Sequence, residues 1–164
     1  MDLDQPLTPV ESWDELHARA RALLHGETHP LANAANLAAL IFHSLVDLNW
    51  AGFYFAEGDE LVVGPFQGLP ACVRIPFGRG VCGTAAAERA TQRVDDVHAF
   101  DGHIACDVNS RSEIVVPLVR DGELLGVLDI DSPKPGRFDA ADQAGFEALA
   151  AIYLASLQSP SKDG

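Results

Sequence analysis

The hydrophobic period of this chain changes once, at Asn49, and that change constrains the fold class more than any other feature. Before it, apolar residues recur at helical spacing. After it, short runs are joined by tight glycine turns. Trp50 to Ala56 is rich in aromatic residues and reads as a strand. Glu57-Gly58-Asp59-Glu60 turns it back into Leu61 to Phe66 as a hairpin. Glu113 to Val119, the turn Arg120-Asp121-Gly122-Glu123 and Leu124 to Ile130 form a second hairpin. Parallel neighbours need long crossovers, usually helical, whereas here hairpins dominate and a clear strand-helix-strand alternation is absent. The chain is therefore expected to be an α+β domain, an antiparallel sheet with its terminal helices on one face.

The remaining elements fit that frame. Ser12-x-x-Glu15 is a capping box that opens a first helix. Trp13, Leu16, Ala20, Leu23 and Leu24 fall on one of its faces, and Gly26 stops it. A second helix starts near Thr28, with Pro30 in its first turn. Its apolar face holds Leu31, Ala34, Ala35, Ala38, Ile41, Phe42 and Leu45. Cys72 to Phe77 alternates as a short strand, Val81 to Arg89 is a short helix, and Gln92 to Val94 a small strand. Residues 95–110 make a loop longer than compact domains usually keep without a function. Asp139 caps a last helix with Phe146, Leu149, Ile152, Tyr153 and Leu157 on its apolar side. The expected domain is 12–158, with flexible tails at 1–11 and 159–164.

A length of 164 residues suits one domain, and 48% apolar residues suffice for a core. The net charge of −13 argues against nucleic acid and against an anionic membrane surface, and favours a cationic ligand. Met1-Asp2-Leu3-Asp4-Gln5 lacks the basic and apolar regions of a signal peptide, and no apolar run is long enough to span a membrane. The expected location is the cytoplasm. Three cysteines do not make a secreted disulfide framework. In a reducing compartment, clustered cysteines point to catalysis, redox exchange or metal.

Three groups of residues can carry chemistry. The first is the cysteines. Cys106 lies in the long loop, Cys72 at a strand start, and Cys82 at a helix N-terminus, where the macrodipole favours thiolate. Cysteines at loops and element ends suit a nucleophile with resolving partners, because a sulfenic acid condenses with a second thiol. The spacing does not rank Cys72 and Cys82 as the partner. Zinc held by the three cysteines with His98 or His103 is a competing use. Against it, no Cys-x-x-Cys is present and the spacings match no common zinc module, so no metal site is expected. The two histidines receive no chemical role.

Glu113, Asp129 and Asp131 are the second group. Asp129 and Asp131 are two apart in a strand, so they share a face, and Glu113 on the paired strand can reach it. Crowded carboxylates raise one another's pKa, so such a site can bind an ammonium with one member and donate a proton with another. The same carboxylates oppose a thiolate at Cys106, so a bound ammonium, Arg111 or loop N–H groups would have to compensate. Trp50 and Tyr54, four apart on one strand face, are the third group, an aromatic wall for a methyl group or cation.

Taken together, Asn49 to Tyr54, Gly64 to Gly68, Ala71-Cys72, Ile75 to Gly78, Gly80 to Thr84, Asp96 to Phe100, Gly102 to Asp107, Ser112 to Val115 and Gly126 to Ser132 resemble the free methionine-(R)-sulfoxide reductases, which are GAF-domain enzymes. The resemblance covers about residues 13–157, and all three cysteines match in place. It implies a GAF-like antiparallel sheet of about six strands between helices. It implies reduction of free L-methionine (R)-sulfoxide and not the peptide-bound form. Cys106 matches the family's sulfur-attacking cysteine and Cys72 the partner that forms a disulfide with it. Cys82 matches a cysteine with a recycling role, and the division of labour between Cys82 and Cys106 varies among members. Trp50, Tyr54, Glu113, Asp129 and Asp131 match the substrate pocket, with Glu113 or Asp131 as the acid. The resemblance implies no bound cofactor, thioredoxin as reductant (supplied in turn by NADPH through thioredoxin reductase), and a homodimer. The rival reading is a non-catalytic GAF module that senses a small molecule or redox state.

Overall fold

A computed structural model describes residues 4, 6–104, 106 and 108–158. The expected C-terminal tail at 159–164 and positions 1–3 and 5 of the N-terminal one lie outside this range, as do positions 105 and 107 of the long loop. Helices α1 (Trp13–Leu24) and α2 (Pro30–Ser44) come first. Strands β1 (Trp50–Glu57), β2 (Glu60–Gly68) and β3 (Arg74–Pro76) follow, then helix α3 (Gly80–Glu88) and strand β4 (Gln92–Val94). A 3-10 turn at Val97–Ala99 leads to β5 (Ser112–Arg120), β6 (Glu123–Ser132) and helix α4 (Ala140–Ser156). The strands form one six-stranded sheet in the order β3-β2-β1-β6-β5-β4, with antiparallel neighbours throughout. The expected α+β architecture is what the residues build.

The sheet is covered on both faces, which the period-2 pattern explains. Phe53 of β1, Ile114, Val116 and Leu118 of β5, and Leu128 and Ile130 of β6 join the main core with α1, α2 and α4. The intervening residues Trp50, Tyr54, Val115 and Val127 face the other way and pack with Val81, Cys82 and Ala85 of α3. Burying a large aliphatic or aromatic side chain stabilises by about 1.5–3 kcal/mol, so a one-residue slip of any central strand would exchange both sets of contacts at once. Trp13 of α1 lies so close to Gly145 of α4 that a Cβ there would sit 2.2 Å from the indole.

Several local details differ from the sequence expectation. Ser12 Oγ accepts from the Glu15 N–H at 3.2 Å, but the Glu15 carboxylate accepts from Glu11 N–H at 3.0 Å instead of closing the box on Ser12. The cap of α2 is His29, whose Nδ1 accepts from Leu31 and Ala32 N–H, and not Thr28. The buried stripe of α2 is Asn33, Ala34, Leu37, Ala38, Leu40, Ile41 and Ser44, whereas Leu31 is 54% exposed. Leu31 sits in the first turn, beyond the sheet's edge of cover. Strand β3 is shorter than Cys72 to Phe77, because only Arg74–Pro76 pairs with β2 and Cys72 is tied elsewhere. The α4 cap is a full capping box between Asp139 and Asp142. Among the described residues, no helix is long and apolar enough to cross a membrane.

Candidate active site

Strand register assembles the acidic group. Glu113 of β5 lies opposite Asp131 of β6, which lies opposite Trp50 of β1, so three adjacent strands present these side chains in one row. One row along, Val115 faces Asp129 and Asp129 faces Gly52. Gly52 is required there: a Cβ would sit 2.3 Å from Phe66 Cβ. Phe66 instead crosses that point and stacks on Trp50, with ring centroids 5.1 Å apart. Tyr54 also stacks on Trp50, with ring centroids 5.7 Å apart. Trp50 Nε1 donates to Leu69 O at 3.1 Å, and the Tyr54 hydroxyl donates to Cys72 O at 3.2 Å. The aromatic wall is thus fixed at both polar tips.

Helix α3 and the loop after the 3-10 turn roof this sheet face. Gly80, with φ +64, donates its N–H to Gly102 O at 3.1 Å and joins the helix start to the loop. Cys72 and Cys106 form a disulfide, 34 positions apart in sequence. Cys82 is free and buried, and its thiol contacts Glu113 Oε2 at 3.8 Å. Between roof and sheet lies a small cavity of about 40 Å³ that opens to solvent. Of the residues expected to act in catalysis or substrate binding, Trp50, Tyr54, Cys82, Cys106, Glu113, Asp129 and Asp131 line it. Cys72 borders it through the disulfide and the Tyr54 contact.

The electrostatics are those of an acidic cage, with Arg79 among its described lining residues. Burial, and next the neighbouring Asp129, push the Glu113 carboxyl well above the usual range. Burial, and next Asp131, do the same to Asp129. The expectation that the helix N-terminus favours a thiolate at Cys82 fails. Burial, and then Asp129, Glu113 and Asp131, push its thiol up, because desolvation and three carboxylates outweigh the macrodipole of a nine-residue helix. Burial also raises the Tyr54 phenol and keeps it neutral. Burial and the nearby His98 lower His103, which lines the cavity. Asp129 Oδ1 is buried without a hydrogen-bond partner among the described residues. A buried carboxylate oxygen of that kind is costly, and a cationic ligand would satisfy it.

Some lining residues carried no sequence signal of their own. The arginine at the cavity is Arg79, which caps α3, and not Arg111. Ile104 and Ser110 also line it, and Asn49 Nδ2 donates to Ser110 Oγ at 3.1 Å, holding the end of the loop to the start of β1. They come from connecting segments, where no periodicity marks an inward side chain. The zinc set of three cysteines and a histidine is not assembled, since two of its sulfurs are bonded to each other. A smaller group is assembled: donor atoms of Cys82, Glu113 and Asp129 lie within 4.8 Å of one another.

Residues 32–158 match the family model described as GAF domain. The chain is 55% identical over 145 residues to the free methionine-R-sulfoxide reductase of Escherichia coli (strain K12), covering 88% of each. It superposes on the structure of fRMsr of Staphylococcus aureus in complex with substrate with a TM-score of 0.87 at 49% identity, covering 94% of this chain and 100% of that one. It superposes equally, TM-score 0.87 at 44% identity, on the free methionine-R-sulfoxide reductase from Neisseria meningitidis in complex with its substrate, covering 92% and 94%.

Proposed function

The chain belongs to the GAF-domain free methionine-R-sulfoxide reductases, and on that premise we propose that it reduces free methionine (R)-sulfoxide to methionine at the cavity beneath α3. The observation that carries this reading is the Cys72–Cys106 disulfide at the mouth of an acidic and aromatic pocket. A binding module has no need of a redox-active pair there.

The chemistry follows from the groups present. The Cys106 sulfur attacks the sulfoxide sulfur, and a carboxylic acid, Glu113 or Asp131, protonates the oxygen as the S–O bond weakens. The hydroxyl then passes from the substrate sulfur to the Cys106 sulfur as the transient S–S bond breaks, so methionine leaves and Cys106 is a sulfenic acid. The Cys72 thiol then displaces that oxygen as water and closes the disulfide, so the two electrons given to the substrate come from two thiols. A dithiol protein of the thioredoxin type reopens it by exchange and is itself oxidised. The raised pKa of Glu113 suits it to hold a proton near neutrality. Asp129 and Asp131 hold the α-ammonium, and Trp50 and Tyr54 hold the S-methyl end. A residue inside a peptide has no such ammonium, and its amide would leave a buried carboxylate unpaired, which rejects peptide-bound substrate. The protein works in the cytoplasm as a homodimer with no bound cofactor.

The test is single-turnover methionine release from the fully reduced protein without added reductant. About one equivalent from the wild type, and none from Cys106→Ser, supports the reading. Release that survives in Cys106→Ser but not in Cys82→Ser moves the nucleophile. No release from the wild type leaves the ligand-sensing reading.

A further inference from the structure

Cys82 is the one cysteine outside the disulfide, and the reaction above gives it no step. Its surroundings are unusual for an inert thiol. It sits in the third position of α3, 5% exposed, packed among the apolar residues of this sheet face, yet its sulfur contacts the Glu113 carboxylate. The neighbouring donors are Glu113 and Asp129, and the donor atoms of all three lie within 4.8 Å of one another. Asp129 is only 4% exposed, and its Oδ1 finds no hydrogen-bond partner among the described residues. Two carboxylates and a thiol face one point, with an acceptor oxygen left over, as a cation site requires.

We propose that Cys82, Glu113 and Asp129 form a binding site for a thiophilic divalent cation of the zinc class, occupied when the pocket is empty of substrate. The ligand chemistry is selective. Carboxylates alone would suit Mg²⁺ or Ca²⁺, but those ions need six or more oxygen ligands, and a thiolate does not serve them. Zinc accepts sulfur and oxygen together in fourfold geometry, and three protein ligands with one open position is its usual arrangement at reactive sites. The sulfur–oxygen distance between Cys82 and Glu113 is close to what such an ion needs. Zn–S of about 2.3 Å and Zn–O of about 2.0 Å imply a tetrahedral S···O edge of about 3.5 Å. The Cys82 sulfur already stands 3.8 Å from Glu113 Oε2.

Binding is a proton-for-metal exchange and involves no electron transfer. The Cys82 S–H bond breaks, its proton goes to solvent, and the sulfur bonds to the ion. Both carboxylates bind ionised, so any proton that they carry is released as well. The bound ion occupies the acidic cage and excludes a substrate ammonium. A reductase of this design is therefore inhibited by zinc-class ions through a residue that does not attack the sulfoxide.

The experiment uses the disulfide form, in which Cys72 and Cys106 cannot ligate and Cys82 is the available thiol. Zn²⁺ binding is followed by calorimetry, and Co²⁺ binding by the near-ultraviolet thiolate-to-metal absorption band. We expect one ion per chain, a thiolate band, and affinity at least about tenfold weaker in Cys82→Ser, since even loss of an outer-sphere partner costs that much. Glu113→Gln, which keeps the thiol, should retain a weaker band. No binding by the disulfide form, or equal affinity and band in Cys82→Ser, would overturn the site. These readouts do not use sulfoxide reduction, so they stand or fall apart from the proposed activity.

Discussion

The Tyr54 hydroxyl donates to the main-chain oxygen of Cys72 at 3.2 Å. The aromatic wall of the cavity therefore also holds the backbone of Cys72, one half of the disulfide. Tyr54 is 2% exposed and stacked on Trp50, so its ring has little freedom to move. Removing only the oxygen should leave the wall and loosen the cysteine.

Tyr54→Phe is accordingly expected to leave first-turnover methionine release unchanged and to slow closure of the Cys72–Cys106 disulfide. A net hydrogen bond of about 1 kcal/mol corresponds to about a fivefold effect. Quenched-flow alkylation with mass analysis separates the two steps. Equal closure rates in wild type and variant would count against a positioning role.

Cys72→Ser should release one equivalent of methionine and then stop. Without the second thiol the Cys106 sulfenic acid has no partner, so it should accumulate and react with a dimedone-type probe. Continued turnover with a thioredoxin-type reductant would mean that Cys82 resolves the intermediate instead.

Asp129→Ala should raise KM for the free amino acid sulfoxide sharply while the chemical step is affected less. Losing one partner of a buried charge pair costs about 2–5 kcal/mol, or at least about 30-fold. Steady-state kinetics decide it, and an unchanged KM would remove Asp129 from ammonium binding.

The acidic cage also links stability to pH. Burial raises the folded-state pKa of Glu113 and Asp129 above their unfolded values. The folded chain then holds protons that the unfolded chain has lost. The stability present below the unfolded pKa, about 4.3 for Glu and 3.9 for Asp, declines as pH rises through the folded pKa, by up to about 1.4 kcal/mol per pH unit per proton. Glu113→Gln should reduce this slope and make the disulfide form more stable than wild type at neutral pH. Urea denaturation between pH 4 and 8 tests it, and parallel profiles would show that the two residues do not titrate in this way.

Gly83→Ala tests how α3 is seated. A Cβ at this position would stand 2.5 Å from Pro76 O, so the helix must move off β3 and carry Cys82 with it. Overpacking of this kind costs about 1–3 kcal/mol. Both thermal stability and methionine release should fall. A variant as stable and active as wild type would mean that the roof tolerates displacement.

Much of this was legible in the sequence because it is local. The alternation of Leu128, Asp129, Ile130 and Asp131 sends the carboxylates to one face and the aliphatic residues to the other whatever the rest of the chain does. The tight turns at Gly58 and Gly122, both at positive φ, set the two long hairpins and hence the antiparallel sheet. Helix starts were readable from local signals, Asp139 capping α4 and Pro30 opening α2, although the ring nitrogen of His29 as the α2 cap carried no sequence signal. The buried stripe of α2 was misjudged because Ala and Leu occur all round it, and only the neighbouring sheet selects which of them is covered.

What the sequence by itself determined is the order of elements and the side of the sheet on which each strand residue stands. The tertiary structure alone decided how residues far apart in the chain meet. Cys72 and Cys106, 34 positions apart, close on each other, while Cys82 is left facing Glu113. Position at a helix N-terminus favoured a thiolate at Cys82, yet burial beside Asp129, Glu113 and Asp131 reverses the direction of its shift. Arg79, and not Arg111, reaches the cavity, because the roof is built from α3 and its leading turn. The physical reason is the same in each case. Period and turn chemistry act over a few residues, whereas desolvation and charge depend on every group that packs within a few ångströms, whichever part of the chain supplies it.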